Sequence, residues 1–438
     1  MSIKHSSMVL TIIGSGSTYT PELIDGIIAR RESIHFREIR LMDIDERKRT
    51  IVGNLCQRMI SAANVDSKVI LMEDLDEALM GADFVITQIR VGKLPARAID
   101  ESIPLKYDLI AQETTGIGGF FKALRTIPVV LHIAKRMEEL CPNAFLINFT
   151  NPSGIVTQAV NDYSKIRVIG LCNAPIVLLN NIQEKLGLEE MKAEFVGLNH
   201  LTWITKIESG GKDYLPQAIE EGLNAVAPKN IKATGFSVEC LKAAQGIPGA
   251  YLEYFYNRDK KLAEQKAATK SRAEVCMELE EEILRTYEDT ELHVKPKQLD
   301  QRGGAKYSLV AISLIDAIAN DKKEIHIVDV KNQGALSFLR DEDVIEIACV
   351  IDANGATPIH LPNFHNEHIE TLMQTVKSYE RHTVTAAVNG DEIEAMRALM
   401  VHPLVGDFNT ASACFTEMKE AHARYLPQFY KSKEEGAV

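Results

Sequence analysis

A chain of 438 residues exceeds one comfortable hydrophobic core, so we expect about two lobes. Its composition, 45% hydrophobic and 25% charged, is ordinary for a globular protein, and a net charge of −12 argues against nucleic acid or an anionic membrane as a partner. No apolar run has the length needed to cross a bilayer, and the first residues have no signal-peptide pattern. Seven scattered cysteines without a CxxC pair suit a reducing compartment, so a cytoplasmic protein is expected.

The first predicted element is a buried parallel strand at 8–13, where β-branched residues form a short apolar run. The run ends in Gly14-Ser15-Gly16-Ser17, which permits a sharp turn and a close backbone approach. A helix follows, with Thr20 predicted as its N-cap and Pro21 as its first helical residue. Together these elements direct backbone N–H groups at an anion, which predicts a site for the pyrophosphate of a dinucleotide.

A second apolar strand at 38–42 ends in Asp43, where an acidic side chain belongs if it is to bind the ribose hydroxyls of NAD. Asp43 therefore favours NAD over NADP. The nearby Asp45 is interpreted as the cap of the next helix. The glycine turn lacks the third glycine of the usual fingerprint, so the dinucleotide hypothesis depends on this second strand as well.

Strands and helices alternate through the first half of the chain, which predicts a doubly wound parallel sheet of the Rossmann type. The strands are predicted at 8–13, 38–42, 68–72, 83–87, 144–148 and 166–171, and the helices at 21–31, 45–62, 121–139 and 152–163. Ligands of such a sheet bind at the carboxyl ends of its strands. Three loops therefore matter most: the cation-rich 88–97, 148–153 and 171–175. A separate glycine-rich stretch at 112–119 is a candidate hinge or second anion site.

Beyond about residue 190 the alternation stops, which predicts a second lobe of mixed α and β structure packed on the first. We predict an NAD-binding domain at 1–190 and an α+β domain for substrate and oligomerisation at 191–438. The charged stretch at 258–287 predicts a solvated helix face. The other elements predicted in this half are strands at 195–197 and 324–330, helices at 306–319 and 390–400, and a loop at 358–362.

Residue types alone leave the chemistry open. Cys172 and His200 are candidates for a shared metal, but a single Cys and a single His far apart in sequence equally describe a buried thiol and a hydrogen-bonded core histidine. Tyr251 follows two glycines and is either a base or a packing residue. Three arginines are candidates for binding a phosphate or carboxylate, or are surface cations: Arg97, Arg272 and Arg302.

Several long motifs, in order through essentially the whole chain, resemble glycoside hydrolase family 4, and within it the members active on 6-phospho-β-glucosides. The motifs are GSGSTYTPEL (14–23), IRVGKLPARAIDE (89–101), QETTGIGGFFKALRTIPV (112–129), NFTNPSG (148–154), GLCNAP (170–175), GLNHLTW (197–203) and PGAYLEYF (248–255). This family departs from the paired-carboxylate mechanism of most glycosidases.

The resemblance implies a role for each candidate. Cys172 and His200 match the family's ligands for a divalent metal, typically Mn²⁺, with substrate oxygens completing the coordination, and Tyr251 matches its general base. The arginines among the substrate-binding residues are natural bidentate partners of a sugar 6-phosphate. The substrate-binding positions matched are Arg97, Asn151, Asn173 and Arg272, and the NAD⁺-binding positions are Gly14, Gly16, Ser17, Thr18 and Asp43.

The implied activity is hydrolysis of a phosphorylated disaccharide or aryl glucoside through a transient oxidation. NAD⁺ takes hydride from C3 of the sugar, and Tyr251 removes the C2 proton that the ketone and metal have made acidic. The aglycone then leaves from C1, water adds, and hydride returns to C3, so no net oxidation occurs. The family also implies a homodimer or homotetramer.

The residue after the metal-binding cysteine bears on which anomer is cleaved. α-Active relatives commonly carry an acid there, whereas Asn173 cannot protonate a leaving oxygen, so the resemblance favours β-linked substrates. The alternatives are a 6-phospho-α-glucosidase or another family 4 glycosidase, a lactate- or malate-type dehydrogenase with the same nucleotide fold, and a non-enzymatic NAD-binding regulator.

Overall fold

The computed structural model describes residues 8–224, 235–301 and 307–430, and these residues include a nine-stranded sheet flanked by helices. The parallel strands of the sheet are β1 Met8–Ile13, β2 Phe36–Met42, β3 Lys68–Met72, β4 Phe84–Thr87, β5 Phe145–Asn148 and β6 Arg167–Gly170. Their spatial order, β3-β2-β1-β4-β5-β6, is that of a Rossmann fold. The predicted fold class is confirmed, and each predicted strand of this half is present within about two residues of its predicted ends.

The strands are buried because helices cover both faces of the sheet. Leu10, fully buried in β1, pairs with Ile39 of β2 on one side and with Phe84 of β4 on the other. The helices of this half are α1 Thr20–Ala29, α2 Glu46–Ala62, α3 Leu75–Leu79, α4 Lys93–Leu105, α5 Gly116–Leu140, α6 Ser153–Tyr163 and α7 Ala174–Leu186. The chain order therefore places the loops after β1, β4, β5 and β6 at one edge of the sheet.

Helix α4 lies where the sequence predicted a cation-rich loop at 88–97. Arg97 points inward from α4 with only 7% of its surface exposed, and the carboxylates of Glu101 and Glu113 neutralise it. Glu101 is one helical turn from Arg97, so the helix itself supplies one partner of the buried charge. The prediction of a loop is right for 88–92 and wrong for 93–97, because Glu101 and Glu113 neutralise Arg97 and so allow it to be buried on a helix.

Helix α5 is the core helix of this half. Within the described ranges it is the one helix whose length and composition would allow it to span a membrane, with a mean hydropathy of 1.3 over its most apolar window. Most of that window is buried inside the fold, as in the core helix of a globular protein. The sequence predicted no segment long and apolar enough to cross a bilayer, and by length and composition α5 contradicts that prediction.

The second half contributes to two sheets. Strands β7 Lys192–Leu198, β8 Leu201–Ser209, β9 Lys212–Asp213 and β10 Ile247–Pro248 form an antiparallel sheet of their own. Strands β11 Glu324–Lys331, β12 Val344–Asp352 and β13 Gly355–Pro358 extend the large sheet, with β11 antiparallel to β6. The division at residue 190 stays a prediction, since the large sheet takes strands from both sides of it.

The helices of the second half pack around these sheets. They are α8 Leu215–Glu220, α9 Val238–Ala244, α10 Glu253–Tyr256, α11 Arg258–Ala267, α12 Arg272–Tyr287, α13 Tyr307–Ala319, α14 Glu367–Asn389, α15 Glu392–Val401 and α16 Phe408–Ala421. The stretch predicted as one solvated helix at 258–287 is therefore two helices, α11 and α12. Ser271 caps α12 through a capping box with Glu274, and this stops the two helices from merging.

Candidate active site

The turn after β1 has the tight geometry that its glycines predict. Gly14 has a φ of +87°, and its N–H donates to the carbonyl of Met42 at 2.9 Å. A Cβ on Gly14 would lie 2.9 Å from the carbonyl of Gln88, so only glycine fits where β1 passes β4. Helix α1 begins at Thr20 itself, with Tyr19 at the N-cap position and no side-chain cap. Thr20 as N-cap is thus corrected: its hydroxyl donates to the carbonyl of Ser15 instead.

Asp43 lies directly against this turn. Its Oδ2 accepts the Gly16 N–H at 2.8 Å, and its Oδ1 accepts the Asp45 N–H at 2.9 Å. Asp45 caps α2 by accepting the Lys48 N–H, as the sequence predicted. The hydroxyl of Thr18 is buried and has no hydrogen-bond partner in the described part of the chain. The glycine turn and Asp43 are therefore joined by hydrogen bonds where β1 and β2 end, next to the start of α1.

Helix α12 packs across this nucleotide turn, a contact that its distance in sequence gave no means of predicting. The Tyr287 hydroxyl donates to the carbonyl of Thr18 at 2.7 Å. Lys48 of α2 pairs with Glu280 of α12 at 2.5 Å, and both side chains are mostly buried. The prediction that 258–287 presents a solvated helix face is therefore wrong for the side of α12 that carries Glu280 and Tyr287.

Cys172 lies two residues after the end of β6 and two residues before the start of α7. Its sulfur accepts the Ala174 N–H at 3.4 Å and also has a side-chain hydrogen bond with Asn199. Burial, aided by the nearby carboxyl of Glu346, raises the pKa of the thiol well above its ordinary value. Asn173 occupies the N-cap position of α7 and is 9% exposed.

His200 lies in the turn between β7 and β8 with a φ of +67°. Its Nδ1 is 3.0 Å from the hydroxyl of Thr114, which leaves Nε2 for a metal. Burial, together with the positive charge of Lys122, lowers the pKa of the imidazole to about 3. The ring is therefore neutral near pH 7, the form in which histidine binds a metal.

Tyr251 is placed against His200 by strand pairing. Strand β10 pairs with β8, and the N–H of Gly249 then donates to the carbonyl of Thr202 at 2.8 Å. A Cβ on Gly249 would lie 2.7 Å from the Thr202 hydroxyl, so glycine is required for this approach. The short 3₁₀ turn Ala250–Leu252 then brings the phenol ring parallel to the imidazole, with centroids 3.7 Å apart and planes inclined by 7°.

Asn151 lies in the loop after β5, at the same edge of the sheet as Cys172. Its Nδ2 donates weakly to the carbonyl of Phe149 at 3.4 Å, whereas its Oδ1 is buried without a partner among the described residues. A small cavity of about 20 Å³ lies beside this loop, with Thr114, Pro152 and His200 in its lining. An unpaired amide oxygen in this position suits a sugar hydroxyl or a hard cation.

A buried cluster of cations surrounds Glu113. Its carboxylate accepts from Arg97 at 2.9 Å and from Lys122 at 2.8 Å, and it also pairs with Arg90. Burial alone would raise the pKa of Glu113, but these three cations hold it well below its ordinary value. Burial and the charge of Arg90 lower the pKa of Lys122 to about 7. Sequence reasoning missed Arg90, Lys122 and Glu113, although all three lie within the quoted motifs.

Arg272, the first residue of α12, is brought to the same cluster. The next residue, Ala273, donates its N–H to Glu101, which is itself bonded to Arg97. One turn further along α12, the sulfur of Cys276 accepts from Arg97 at 3.6 Å. The Nε of Arg272 is buried and has no partner in the part of the chain that the structure describes. Arg302 lies outside the described residues.

The protein supplies only part of a metal site. Across residues 8–224, 235–301 and 307–430, no group of three or more His, Cys, Asp or Glu is arranged to hold an ion. Cys172 and His200 are nevertheless adjacent through Asn199, which precedes His200 and bonds to the thiol. A pair of protein ligands with the unpaired amide oxygen of Asn151 nearby fits an ion whose remaining ligands come from a substrate.

Comparison with known proteins agrees with this arrangement. Models of the family 4 glycosyl hydrolases and of their C-terminal domain match residues 9–188 and 195–405. The chain is 42% identical to a probable 6-phospho-beta-glucosidase of Bacillus subtilis (97% of this chain, 98% of the relative) and 39% identical to the 6-phospho-beta-glucosidase of Escherichia coli (95% and 96%). A 6-phospho-beta glucosidase from Thermotoga maritima, solved with NAD and glucose-6-phosphate, superimposes with a TM-score of 0.88 at 34% identity (96% and 99%).

A second structure of the Thermotoga maritima enzyme contains manganese, NAD+ and glucose-6-phosphate, and it superimposes with a TM-score of 0.86 at 33% identity, covering 95% of this chain and 99% of that one. The Rossmann-type sheet and the residues at its carboxyl edge define an α/β enzyme that acts on glycosides. The chain belongs to family 4 of the glycosyl hydrolases, as the sequence motifs predicted. Family membership removes the lactate- or malate-type dehydrogenase and the non-enzymatic regulator as alternatives.

Proposed function

We propose that this glycoside hydrolase is a 6-phospho-β-glucosidase that requires NAD⁺ and a divalent metal such as Mn²⁺. Its substrates are 6-phospho-β-glucosides, such as cellobiose 6-phosphate and aryl 6-phospho-β-glucosides. The observation that carries this proposal is the parallel stack of Tyr251 on His200, because it sets a phenol beside a neutral imidazole that has one ring nitrogen left for a metal. The relatives with 42% and 39% identity support the substrate class.

The nucleotide site is the turn after β1. Gly14 and Gly16 permit the tight turn that we assign to the pyrophosphate, because a Cβ on either would clash with Gln88 or Asp43. Ser17 and Thr18 offer hydroxyls at the start of α1. Asp43, held against the turn by the Gly16 N–H, accepts the ribose hydroxyls. A 2′-phosphate at that position would meet the Asp43 carboxylate, so NAD⁺ is preferred over NADP⁺.

Arg97 and Arg272 bind the 6-phosphate of the substrate. The Nε of Arg272 is buried without a partner, and a phosphate oxygen satisfies it. Arg97 is already bonded to Glu101 and Glu113, which fix the plane of its guanidinium. Asn151 binds a sugar hydroxyl through its free amide oxygen, and Asn173 contacts the substrate beside Cys172.

Tyr251 acts as the general base that removes the C2 proton. When bound, NAD⁺ supplies reversible hydride acceptance at C3 and the divalent ion polarises the sugar oxygens at C2 and C3. Cys172 and His200 hold that ion, and Thr114 keeps the imidazole oriented through Nδ1. A placed base contributes about 10²–10⁴-fold to the rate.

Asn173 directs the enzyme to the β-anomer. It occupies the N-cap position of α7 directly after Cys172, where a carboxylic acid would be able to protonate a departing oxygen. An amide has no proton to give at neutral pH, so the site suits substrates whose cleavage does not need that acid. The 6-phospho-α-glucosidase is the competing function.

The decisive experiment measures cleavage of chromogenic 6-phospho-α- and 6-phospho-β-glucosides, each with and without NAD⁺ and Mn²⁺ under reducing conditions. We expect cleavage of the β substrate only when both cofactors are present, and little cleavage of the α substrate. Cleavage of the α substrate alone would overturn the role of Asn173. Full activity without NAD⁺ would overturn the whole mechanism.

We further propose a cytoplasmic homodimer or homotetramer with a nucleotide domain at 1–190 and a substrate domain at 191–438. The cysteines of the described chain are all free, which suits a reducing compartment. Light scattering after gel filtration measures the assembly, and a monomeric mass would contradict it. Limited proteolysis between β6 and β7 tests the domain boundary.

A further inference from the structure

A pair of buried carboxyl groups lies behind the proposed metal ligands and has no part in the roles given above. Asp329 on β11 and Glu346 on β12 face each other directly across the two strands, and they are 0% and 2% exposed. Two buried carboxyl groups at directly opposed strand positions repel each other strongly when both are ionised, so the pair shares a proton. Burial, followed by their mutual repulsion, raises the pKa of Glu346 well above its ordinary value, so Glu346 keeps that proton.

The unpaired oxygen of Asp329 agrees with this protonation. Its Oδ2 accepts from the Ser153 hydroxyl at 2.6 Å, but its Oδ1 has no ordinary donor among the described residues. The side chains of Glu346 and Asp329 hydrogen-bond to each other, so a protonated Glu346 is the donor available to Asp329. The pair is also close to the end of β6, since a Cβ on Gly170 would lie 2.6 Å from Asp329 Oδ2. The carboxyl pair therefore joins β11 and β12 to the end of β6, two residues before Cys172.

Asn199 connects this pair to the metal ligands. Its Nδ2 donates to Glu346 Oε1 at 3.2 Å, and its side chain also hydrogen-bonds to the sulfur of Cys172. An amide NH₂ has two hydrogens, so one reaches the carboxyl and the other reaches the sulfur. Asn199 also precedes His200, whose left-handed φ of +67° is uncommon for a residue other than glycine.

We propose that Glu346, acting through Asn199, is a positioning residue that holds the Cys172 sulfur and the His200 turn in the geometry that binds the metal. This inference rests on the proposed metal-binding role of Cys172 and His200. Glu346 fixes the amide by accepting one hydrogen, and the second hydrogen then points at the sulfur. Without Glu346 the Asn199 amide loses the acceptor that orients it, and the Cys172 sulfur and the His200 turn lose their shared hydrogen-bond partner. Loss of such an outer partner typically lowers metal affinity about 10–100-fold.

The test measures metal binding rather than turnover. Free Mn²⁺ is followed by electron paramagnetic resonance during titration, and Co²⁺ binding is followed through the absorption band of cobalt bonded to a thiolate. Asn199→Ala removes the connecting amide from a half-buried turn, and we expect a tenfold or greater loss of Mn²⁺ affinity and a shifted or weakened Co²⁺–thiolate band. NAD⁺ binding stays within about twofold of the wild-type value, because the nucleotide turn is untouched.

Two further variants separate positioning from simple stability. Glu346→Gln keeps an oxygen for Asn199 and an N–H for Asp329, so we expect Mn²⁺ affinity within about threefold of wild type. Asp343→Asn is the matched control, because this buried carboxylate lies just before the same strand but pairs with Arg381 at 2.7 Å instead. It lowers stability without changing the cobalt band.

The outcomes distinguish the inference from the proposed function. Wild-type Mn²⁺ affinity and an unchanged cobalt band in Asn199→Ala would overturn the role of Glu346. An equal loss of Mn²⁺ affinity in Glu346→Gln and Asp343→Asn would also overturn the role of Glu346, because a general loss of stability would then explain both results. If Cys172→Ser binds Co²⁺ with the same band as the wild-type protein, the proposed metal role of Cys172 fails, and the inference fails with it.

Discussion

The phenol ring of Tyr251 lies parallel to the imidazole of His200, with their centroids 3.7 Å apart. The two residues are 51 positions apart in the chain, and the pairing of β10 with β8 brings them together. One face of the imidazole is therefore covered, its Nδ1 is engaged by Thr114, and Nε2 is left. The proposed base and the proposed metal ligand are therefore in direct ring contact, so loss of either ring changes the surroundings of the other.

Replacement of Tyr251 by Phe tests the base without removing the stack. The phenyl ring still covers His200, so binding of Mn²⁺ and NAD⁺ stays within about twofold of wild type, while kcat falls about 10²–10⁴-fold. Turnover of a chromogenic 6-phospho-β-glucoside and a metal titration on the same sample measure the two effects. Tyr256→Phe is the matched control, because that hydroxyl bonds to Trp203 and His368 instead. A Tyr251→Phe variant with turnover within tenfold of wild type would exclude this base.

Replacement of Asp43 by Ala tests the nucleotide site. We expect NAD⁺ affinity to fall about tenfold or more, since a hydrogen bond to a charged group contributes about 1.5–3 kcal/mol. The preference for NAD⁺ over NADP⁺ narrows at the same time, because the repulsion of the 2′-phosphate is gone. Calorimetric titration of both dinucleotides measures both effects.

The control for this prediction lies two residues further along. Asp45→Ala removes the cap of α2, which costs about 1 kcal/mol of stability, but it leaves the Asp43 carboxylate in place. Its ratio of NAD⁺ to NADP⁺ affinity is expected to match wild type. If the ratio of NAD⁺ to NADP⁺ affinity were the same in wild type and Asp43→Ala, Asp43 would not be a ribose-binding residue.

Replacement of Arg272 by Met tests the phosphate site. The methionine keeps part of the apolar stem at the start of α12 but removes the guanidinium, so kcat/KM for a 6-phospho-β-glucoside falls about 10–150-fold through a higher KM. Steady-state kinetics measure this loss. Arg285→Met changes an exposed arginine on the same helix, and its kinetics are expected to match wild type. Similar losses in the two variants would point to the helix as a whole rather than to phosphate binding.

The buried histidine His402 predicts how stability depends on pH. It is 1% exposed and packs edge-on against Tyr379 at 4.4 Å, and this burial lowers its pKa to about 3. Below about pH 6.5 His402 binds a proton in the unfolded chain but stays neutral in the folded protein, so stability falls as the pH is lowered from 6.5 to 3. The contribution of His402 to that slope is about 1.4 kcal/mol per pH unit.

Urea titrations at pH 6, 5 and 4 measure this slope. The difference in unfolding free energy between wild type and His402→Gln is expected to change by about 1.4 kcal/mol for each pH unit, since the variant lacks the titrating ring. His365→Gln, at an exposed position, serves as the control and keeps the wild-type slope. A difference that stays constant from pH 6 to 4 would contradict the prediction.

The sequence by itself determined the nucleotide half of the fold. Runs such as Val9–Ile13 are apolar and β-branched over consecutive residues, which is a local property that needs no partner to be recognised. The order of glycine turn, helix start and Asp43 is local in the same way. The family motifs placed the candidate residues on loops, and alternation of strand and helix placed those loops at one edge of the sheet.

Only the tertiary structure decided which of those residues meet. Arg97 is helical and buried because Glu113 reaches it from another segment, and Tyr251 covers His200 because β10 pairs with β8. Strands β11 and β12 extend the large sheet beside β6, and this connects Glu346 to Cys172 through Asn199. No local sequence pattern predicts that pairing. A local apolar run indicates whether a residue is buried, but its partner is set by contacts with other segments of the chain. The burial of charges in this site depends on those partners.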